Sequence, residues 1–213
     1  MPATAGMFDI DTQTGLMAGA RFVNSPNQDG RPQGVPVDLI VVHNISLPPG
    51  EYGGPWIEAL FSNELPAGHH PYFATIAQLK VSSHLLIRRD GTLLQFVPFA
   101  NRAWHAGASS YRGRERCNDF SIGIELEGSD DDAFEPAQYR SLSRAVTALC
   151  KAYPSLSREH IAGHSEIAPG RKTDPGAYFD WQRLKALLDF DMSIEVGSVD
   201  AVSRMRPGIG SRG

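Results

Sequence analysis

The sequence predicts a mixed α/β domain, with strands and helices interleaved along one chain. Three stretches carry that expectation. Asp38-Leu-Ile-Val-Val-His43-Asn44 is an apolar, β-branched run of the kind that forms a buried strand. Phe120-Ser-Ile-Gly-Ile-Glu125-Leu-Glu127 alternates: Phe120, Ile122, Ile124 and Leu126 share one face, and Gly123, Glu125 and Glu127 the other. Beyond Pro136, the residues Leu142, Val146, Leu149, Cys150 and Tyr153 recur at helical spacing, which makes an amphipathic helix with Cys150 turned to its core face.

Composition bounds what such a domain can be. The 213 residues suit one domain with a sizeable core, and 41% hydrophobic and 21% charged content is a soluble, globular balance. A formal net charge of −4 offers no basic excess for nucleic acid. No apolar run reaches the length of about 18 residues that a membrane span needs. Met1-Pro-Ala-Thr-Ala-Gly-Met-Phe lacks a basic start and a long apolar stretch, so no secretory signal is expected and the cytoplasm is the expected compartment. Cys117 and Cys150 are the only cysteines and are expected to be free thiols there.

Taken in order, residues 1–37 are rich in Gly, Pro, Asn, Asp and Gln and read as an N-terminal arm lying on the surface. The strand at 38–43 follows, and then a loop whose last residue, Pro55, suits the first turn of a helix. Trp56, Ile57, Leu60 and Phe61 mark the apolar face of that short helix. Residues 62–80 are mixed. Their His69-His70 pair is no metal site, because adjacent side chains do not face one ion. Two strands, 83–88 and 93–97, flank Arg89-Asp90-Gly91-Thr92, and Asp-Gly between apolar runs signals a hairpin. Residues 98–118 form a long irregular segment, and the tryptophan embedded in it, Trp104, points to a functional loop. A short strand around 160–163 and a last helix capped by Asp180 and carrying Trp181, Leu184, Leu187 and Leu188 complete the domain at 38–190. Residues 191–213 read as a flexible tail. From alternation alone, the Glu125 face of its strand reads as a solvated edge.

Chemistry concentrates in His164-Ser-Glu-Ile-Ala-Pro-Gly-Arg-Lys172-Thr-Asp174-Pro-Gly. Proline and glycine punctuate it, so a helix is not expected and a loop aims its polar side chains. An imidazole and a carboxylate suit zinc, but a third ligand must come from elsewhere. His43, at the end of an apolar strand, is the best candidate. Two histidines, one aspartate and an open fourth position describe a catalytic zinc centre rather than a closed structural one.

Several blocks together resemble one family. They are Val41-Val-His43-Asn44-Ile-Ser-Leu-Pro-Pro-Gly50, Ser83-His84-Leu-Leu-Ile-Arg-Arg-Asp-Gly91, Arg102-Ala-Trp-His-Ala-Gly107, the run from Gly113 to Gly128, and Arg171-Lys-Thr-Asp-Pro-Gly176. Over roughly residues 35–190 the chain resembles the amidase-2 family of N-acetylmuramoyl-L-alanine amidases, which shares the peptidoglycan-recognition fold. Within that family it is most similar to the cytoplasmic amidases of bacterial wall recycling. The resemblance implies a central mixed β-sheet flanked by helices, and one Zn2+ held by His43, His164 and Asp174. It implies Glu125 and Lys172 as the catalytic pair, and Asn44, Lys80, Trp104 and Arg116 as substrate-binding residues. Lys80 stands where the family often has arginine. The implied substrate is a small soluble muropeptide with a 1,6-anhydro sugar, cut between muramic acid and L-alanine by a monomeric enzyme. Two rival readings are a muropeptide-binding module and a zinc peptidase acting within the stem peptide. The full set of ligand types, together with Glu125, speaks against the binding module.

Overall fold

The fold comes from a computed structural model that describes residues 8–191. The flexible tail expected from residue 191 onward lies, past Asp191, outside the described residues, as does the start of the arm.

A mixed six-stranded sheet organises the molecule. The apolar run expected near 38–43 is strand β5 (Leu39–Ile45), and the alternating run is β11 (Ser121–Glu127). The hairpin supplies β6 (Leu85–Ile87) and β7 (Leu93–Gln95), while β12 (Ile161–Gly163) and β3 (Arg21–Phe22) take the two edges. The order is β12-β5-β11-β6-β7-β3, parallel throughout except where β6 and β7 run antiparallel. The hairpin closes as its Asp-Gly requires: Arg88 N donates to Thr92 O at 2.9 Å, and Gly91 adopts a φ of 87° that its missing Cβ permits.

β11 is therefore central, not a solvated edge, and every one of its residues is buried. Alternation on a central strand divides the residues between two covered faces, which hydropathy alone cannot distinguish from a wet side. On one face Ile122, Ile124 and Leu126 join Ile40, Val42, Leu85 and Ile87 in a core completed by helix α3 (Pro136–Ala152). Leu142, Val146 and Leu149 of α3 are fully buried there, each worth about 1.5–3 kcal/mol, so packing holds this helix more than propensity does. Its start is fixed by Pro136 and a capping box in which Glu135 N donates to Gln138 Oε1 at 3.0 Å. Helical residues 181–191, capped by Asp180 Oδ1 accepting from Arg183 N, add Leu184 and Leu188 to the same core.

The opposite face carries two smaller apolar clusters. One gathers α1 (Trp56–Phe61) and α2 (Pro71–Ile76) over Leu86, Leu94 and Phe96. The other joins Leu39, Val41, Cys117, Ala162 and Ile167. Phe120 belongs here and not with Ile122, because it caps the 3₁₀ turn Cys117–Asp119 before the strand begins. α2 lies inside the stretch that reads as mixed. Its signal is Pro71 at the first helical position, preceded by His70, whose Nδ1 accepts from Tyr72 N at 3.1 Å. His69 meanwhile packs on the Trp56 ring at 4.3 Å.

Short strands also fill segments that read as irregular. β1 (Ile10–Asp11) pairs with β2 (Leu16–Met17), β4 (Gln28–Gly30) pairs with β8 (Asn101–Ala103), and β9 (Ser110–Tyr111) pairs with β10 (Arg114–Glu115). Arg31, just after β4, is largely buried and donates to the carbonyls of Phe99, Asn118, Asp119 and Ser121, which ties this stretch beneath the start of β11.

Candidate metal centre and active-site groove

Three side chains converge on the face of the sheet opposite α3. His43 leaves β5 on the same side as Val41 and Leu39, and Glu125 stands beside it because residues 43 and 125 are partners in the β5–β11 register. His164 begins α4 (His164–Ile167), directly after β12. One helical turn thus opens the segment where none is expected. It forms before the Pro169-Gly170 break, and Glu166 Oε1 caps it by accepting from Gly163 N at 2.9 Å. The chain then folds back, and Ser165 N donates to Asp174 O at 2.9 Å, so the two ends of the loop meet and carry His164 and Asp174 together.

The outcome is a tight triangle. His43 Nδ1, His164 Nδ1 and Asp174 Oδ2 each lie 3.0 Å from the other two. Both imidazoles are almost fully buried, and Asp174 is half-buried. Ligands at about 2.0 Å around a tetrahedral ion stand about 3.3 Å apart, so this donor set fits a zinc-sized cation. Two imidazole lone pairs and a carboxylate oxygen aimed at one point repel one another until a cation lies between them. Burial pushes the His43 imidazole down to about 4, so it stays neutral and able to ligate.

Glu125 completes the cluster from beneath. It is buried, and its Oε2 has no hydrogen-bond partner among the described residues. Burial first, and the Asp174 charge second, push its carboxyl well above its ordinary value, while Lys172 pulls the other way. Glu127, two residues along and on the same face, is the opposite case: its carboxylate accepts from Gly53 N, Arg88 Nη1 and Arg89 N. One carboxylate is spent on structure and the other is left for chemistry.

These residues line a groove of about 600 Å³ that also includes Lys172 and Asn44. The family model for N-acetylmuramoyl-L-alanine amidases matches residues 33–177. The chain belongs to this amidase family. Among relatives, it is 59% identical over 174 residues to the 1,6-anhydro-N-acetylmuramyl-L-alanine amidase AmpD of Citrobacter freundii, covering 82% of this chain and 92% of that one. Its likeness to the Escherichia coli K12 protein of the same name is 57% over 176 residues, covering 83% and 96%. The crystal structure of a selenomethionine AmpD derivative superposes with a TM-score of 0.81 at 58% identity, over 84% of this chain and 98% of that one. The E. coli amidase AmiD, solved with the substrate anhydro-N-acetylmuramic acid-L-Ala-D-gamma-Glu-L-Lys, gives a TM-score of 0.53 at 29% identity, over 74% and 60%.

Within this amidase the remaining sequence-derived positions lie at different distances from the groove. Asn44 is in its wall, its amide donating to Asp130 Oδ1 at 2.7 Å. Lys80 is exposed between Leu79 and Val81, both of which line the groove. Trp104 is half-buried, with its backbone N donating to Ser82 Oγ. Arg116 has a left-handed φ of 62°, pairs with Asp119 at 3.3 Å and lines a neighbouring groove of about 550 Å³. Arg171 borders both grooves, its guanidinium donating to the carbonyls of Ala106 and Ala108. Sequence reasoning quoted Arg171 only within a motif. It quoted His105 in the same way and gave it no role, although His105 Nδ1 lies 2.9 Å from His43 Nε2. The signal was present in the neighbouring strand: Gly123 is the one residue of β11 without a side chain, and the His105 ring fills that space.

Proposed function

We propose that the chain is a zinc-dependent amidase that hydrolyses the bond between 1,6-anhydro-N-acetylmuramic acid and L-alanine in soluble muropeptides, the reaction of peptidoglycan recycling. The observation that carries this reading is the triangle of His43, His164 and Asp174 set beside a buried Glu125 whose Oε2 has no hydrogen-bond partner among the described residues. The relatives named for 1,6-anhydro-N-acetylmuramyl-L-alanine amidase activity support the choice of substrate. Residues 38–190 form the amidase unit in this reading, acting as a monomer in the cytoplasm.

An amide resists neutral water, so the nucleophile must be made and the carbonyl polarised. Zinc held by the triangle supplies a Lewis acid for the scissile carbonyl and makes a bound water more acidic. Glu125 does the proton work. Its raised affinity for protons suits a general base that takes one from the attacking water and then gives it to the departing L-alanine nitrogen, a role worth about 10²–10⁴-fold. Oxygen from water ends on the lactyl carboxylate, and the C–N bond breaks to release the free amine. Lys172 borders the same groove, where its ammonium stabilises the negative oxygen that develops on the attacked carbonyl. Asn44 shapes the wall, and Trp104, Lys80 and Arg116 serve substrate binding at and beyond the rim.

Mass analysis of the products from a defined anhydro-muropeptide tests this directly. The expected products are the anhydro sugar acid and an intact stem peptide, with activity lost on chelation and restored by zinc. Cleavage inside the stem peptide would make the protein a peptidase, and binding without turnover would make it a recognition module. Full activity in a protein shown to be metal-free would remove zinc from the mechanism.

A further inference from the structure

We propose that His105 is a positioning residue that fixes which nitrogen of His43 faces the metal, through a hydrogen-bond relay ending on the Cys117 carbonyl. The inference rests on the metal reading of the triangle. It concerns residues that do not touch the ion.

The relay has a direction, and its far end sets it. Ser121 Oγ lies 2.6 Å from Cys117 O. A carbonyl only accepts, and two oxygens that close without a proton between them repel, so the Ser121 hydroxyl donates to Cys117. That hydroxyl proton is then committed, and Ser121 Oγ can only accept from His105 Nε2, 3.1 Å away. A neutral imidazole carries one proton, so with that proton on Nε2 the Nδ1 of His105 is bare. His105 Nδ1 therefore accepts from His43 Nε2 at 2.9 Å. The proton of His43 sits on Nε2, and its Nδ1 lone pair points at His164 Nδ1 and Asp174 Oδ2. Each assignment forces the next.

The surroundings are built for this ring. A Cβ on Gly123 would stand 2.5–2.7 Å from three atoms of the His105 imidazole, so only glycine lets the ring lie against β11. Asn118 Oδ1 accepts from His105 N at 3.2 Å and from Ala106 N at 2.8 Å, which holds the loop down. The next residue serves the second ligand, because Ala106 O lies 3.1 Å from His164 Nε2 and accepts its proton. One dipeptide, His105-Ala106, thus orients both histidines so that each offers Nδ1. Outer partners of this kind set ligand orientation and are worth about 10–100-fold in metal affinity.

The test uses the full chain loaded with zinc. Long-range ¹⁵N–¹H spectra should show His105 protonated on Nε2 and His43 also protonated on Nε2. His105 carrying its proton on Nδ1 would overturn the relay. Zinc affinity by chelator competition supplies the second measurement. His105→Phe keeps a ring but no acceptor, and should bind zinc about 10–100-fold more weakly. His105→Asn puts an acceptor oxygen near the place of Nδ1 and should recover most of that loss. Ser121→Ala, a small change that spares the fold, should weaken zinc severalfold and give mixed His105 tautomers. A folded His105→Phe protein that holds zinc as tightly as the parent, or an Asn variant no better than Phe, would refute the proposal. If the unaltered protein takes up no zinc, the metal assignment falls first and this inference with it.

Discussion

At the scale of single residues, Glu125 and Glu127 define the difference between chemistry and structure. They share a strand and a face, yet among the described residues Glu127 accepts three hydrogen bonds and Glu125 Oε2 none. Replacing Glu125 by Gln should lower kcat by about 10²-fold or more while zinc stays near one ion per chain. Loss of zinc in that variant would instead make Glu125 a ligand. The same substitution has a stability signature in the metal-free protein. A carboxyl whose folded pKa is raised binds protons more tightly folded than unfolded, so its contribution falls as pH rises from 4.5 through the raised value. Glu125→Gln should therefore be the more stable protein at pH 7, with the gap closing toward pH 4.5. A parent protein as stable as the variant across that range would contradict the raised pKa. Arg116 and Lys80 make a second contrast. The planar guanidinium of Arg116 can hold a stem-peptide carboxylate with two hydrogen bonds, whereas Lys80 is a point charge in solvent. Arg116→Ala should raise KM for a tripeptide substrate more than Lys80→Ala does, and neither should affect a substrate carrying L-alanine alone. Equal losses on both substrates would mean that these cations shape the site without reading the peptide.

At the scale of elements, the parallel register of β5 and β11 sets the centre, because it brings residue 43 beside residue 125. The loop that brings His164 and Asp174 to the triangle is held at its far end by Gly176. Gly176 has a φ of 84°, and a Cβ there would stand 2.4 Å from the Cα of Asp130. Backbone cannot retreat as a long side chain can, so Gly176→Ala must displace either the loop or residues 129–131. It should destabilise the protein by about 1–3 kcal/mol, which for a chain of this size is a drop in Tm of several degrees. Asp174 lies two residues before it, so zinc affinity should fall as well. A lowered Tm with unchanged zinc affinity would show that Asp174 is positioned independently of the turn.

For the molecule as a whole, several imidazoles lie in or against the interior. His43, His84 and His105 are all held below 6.5, in each case chiefly by burial. A histidine whose folded pKa is depressed contributes its full stability above its unfolded pKa and loses it as pH falls, because the unfolded chain takes up protons that the folded one refuses. The metal-free protein should therefore lose stability as pH drops below about 6.5, by about 1.4 kcal/mol per pH unit for each histidine that remains neutral. Glu125 acts in the opposite sense, so the decline should be steeper in Glu125→Gln. Chemical denaturation at pH 7, 6 and 5 measures both. A stability that rises toward pH 5 would mean that these rings protonate inside the fold.

The two long strands, the Asp-Gly hairpin, the amphipathic helix after Pro136 and the three side chains that converge, His43, His164 and Asp174, were readable from the chain itself. Each rests on a local regularity: a period of two or 3.6, a turn dipeptide, or side chains whose chemistry suits one ion. What depended on pairing between distant segments was not readable. Alternation made the Glu125 face look wet, and only the placing of β11 between β5 and β6, in a sheet whose second face is also covered by apolar clusters, buries it. Strands of two or three residues such as β3 and β4 carry no periodicity to detect, so the segment before residue 38 read as irregular. His105 lay in a quoted motif and still went unassigned. Its role depends on a glycine 18 positions later in the numbering, a serine hydroxyl and a carbonyl, none of which identifies a partner until the fold brings them within 3.1 Å. Local sequence specifies which groups are available, but hydrogen-bond direction belongs to geometry, because a proton's position is set by whichever acceptor lies next to it.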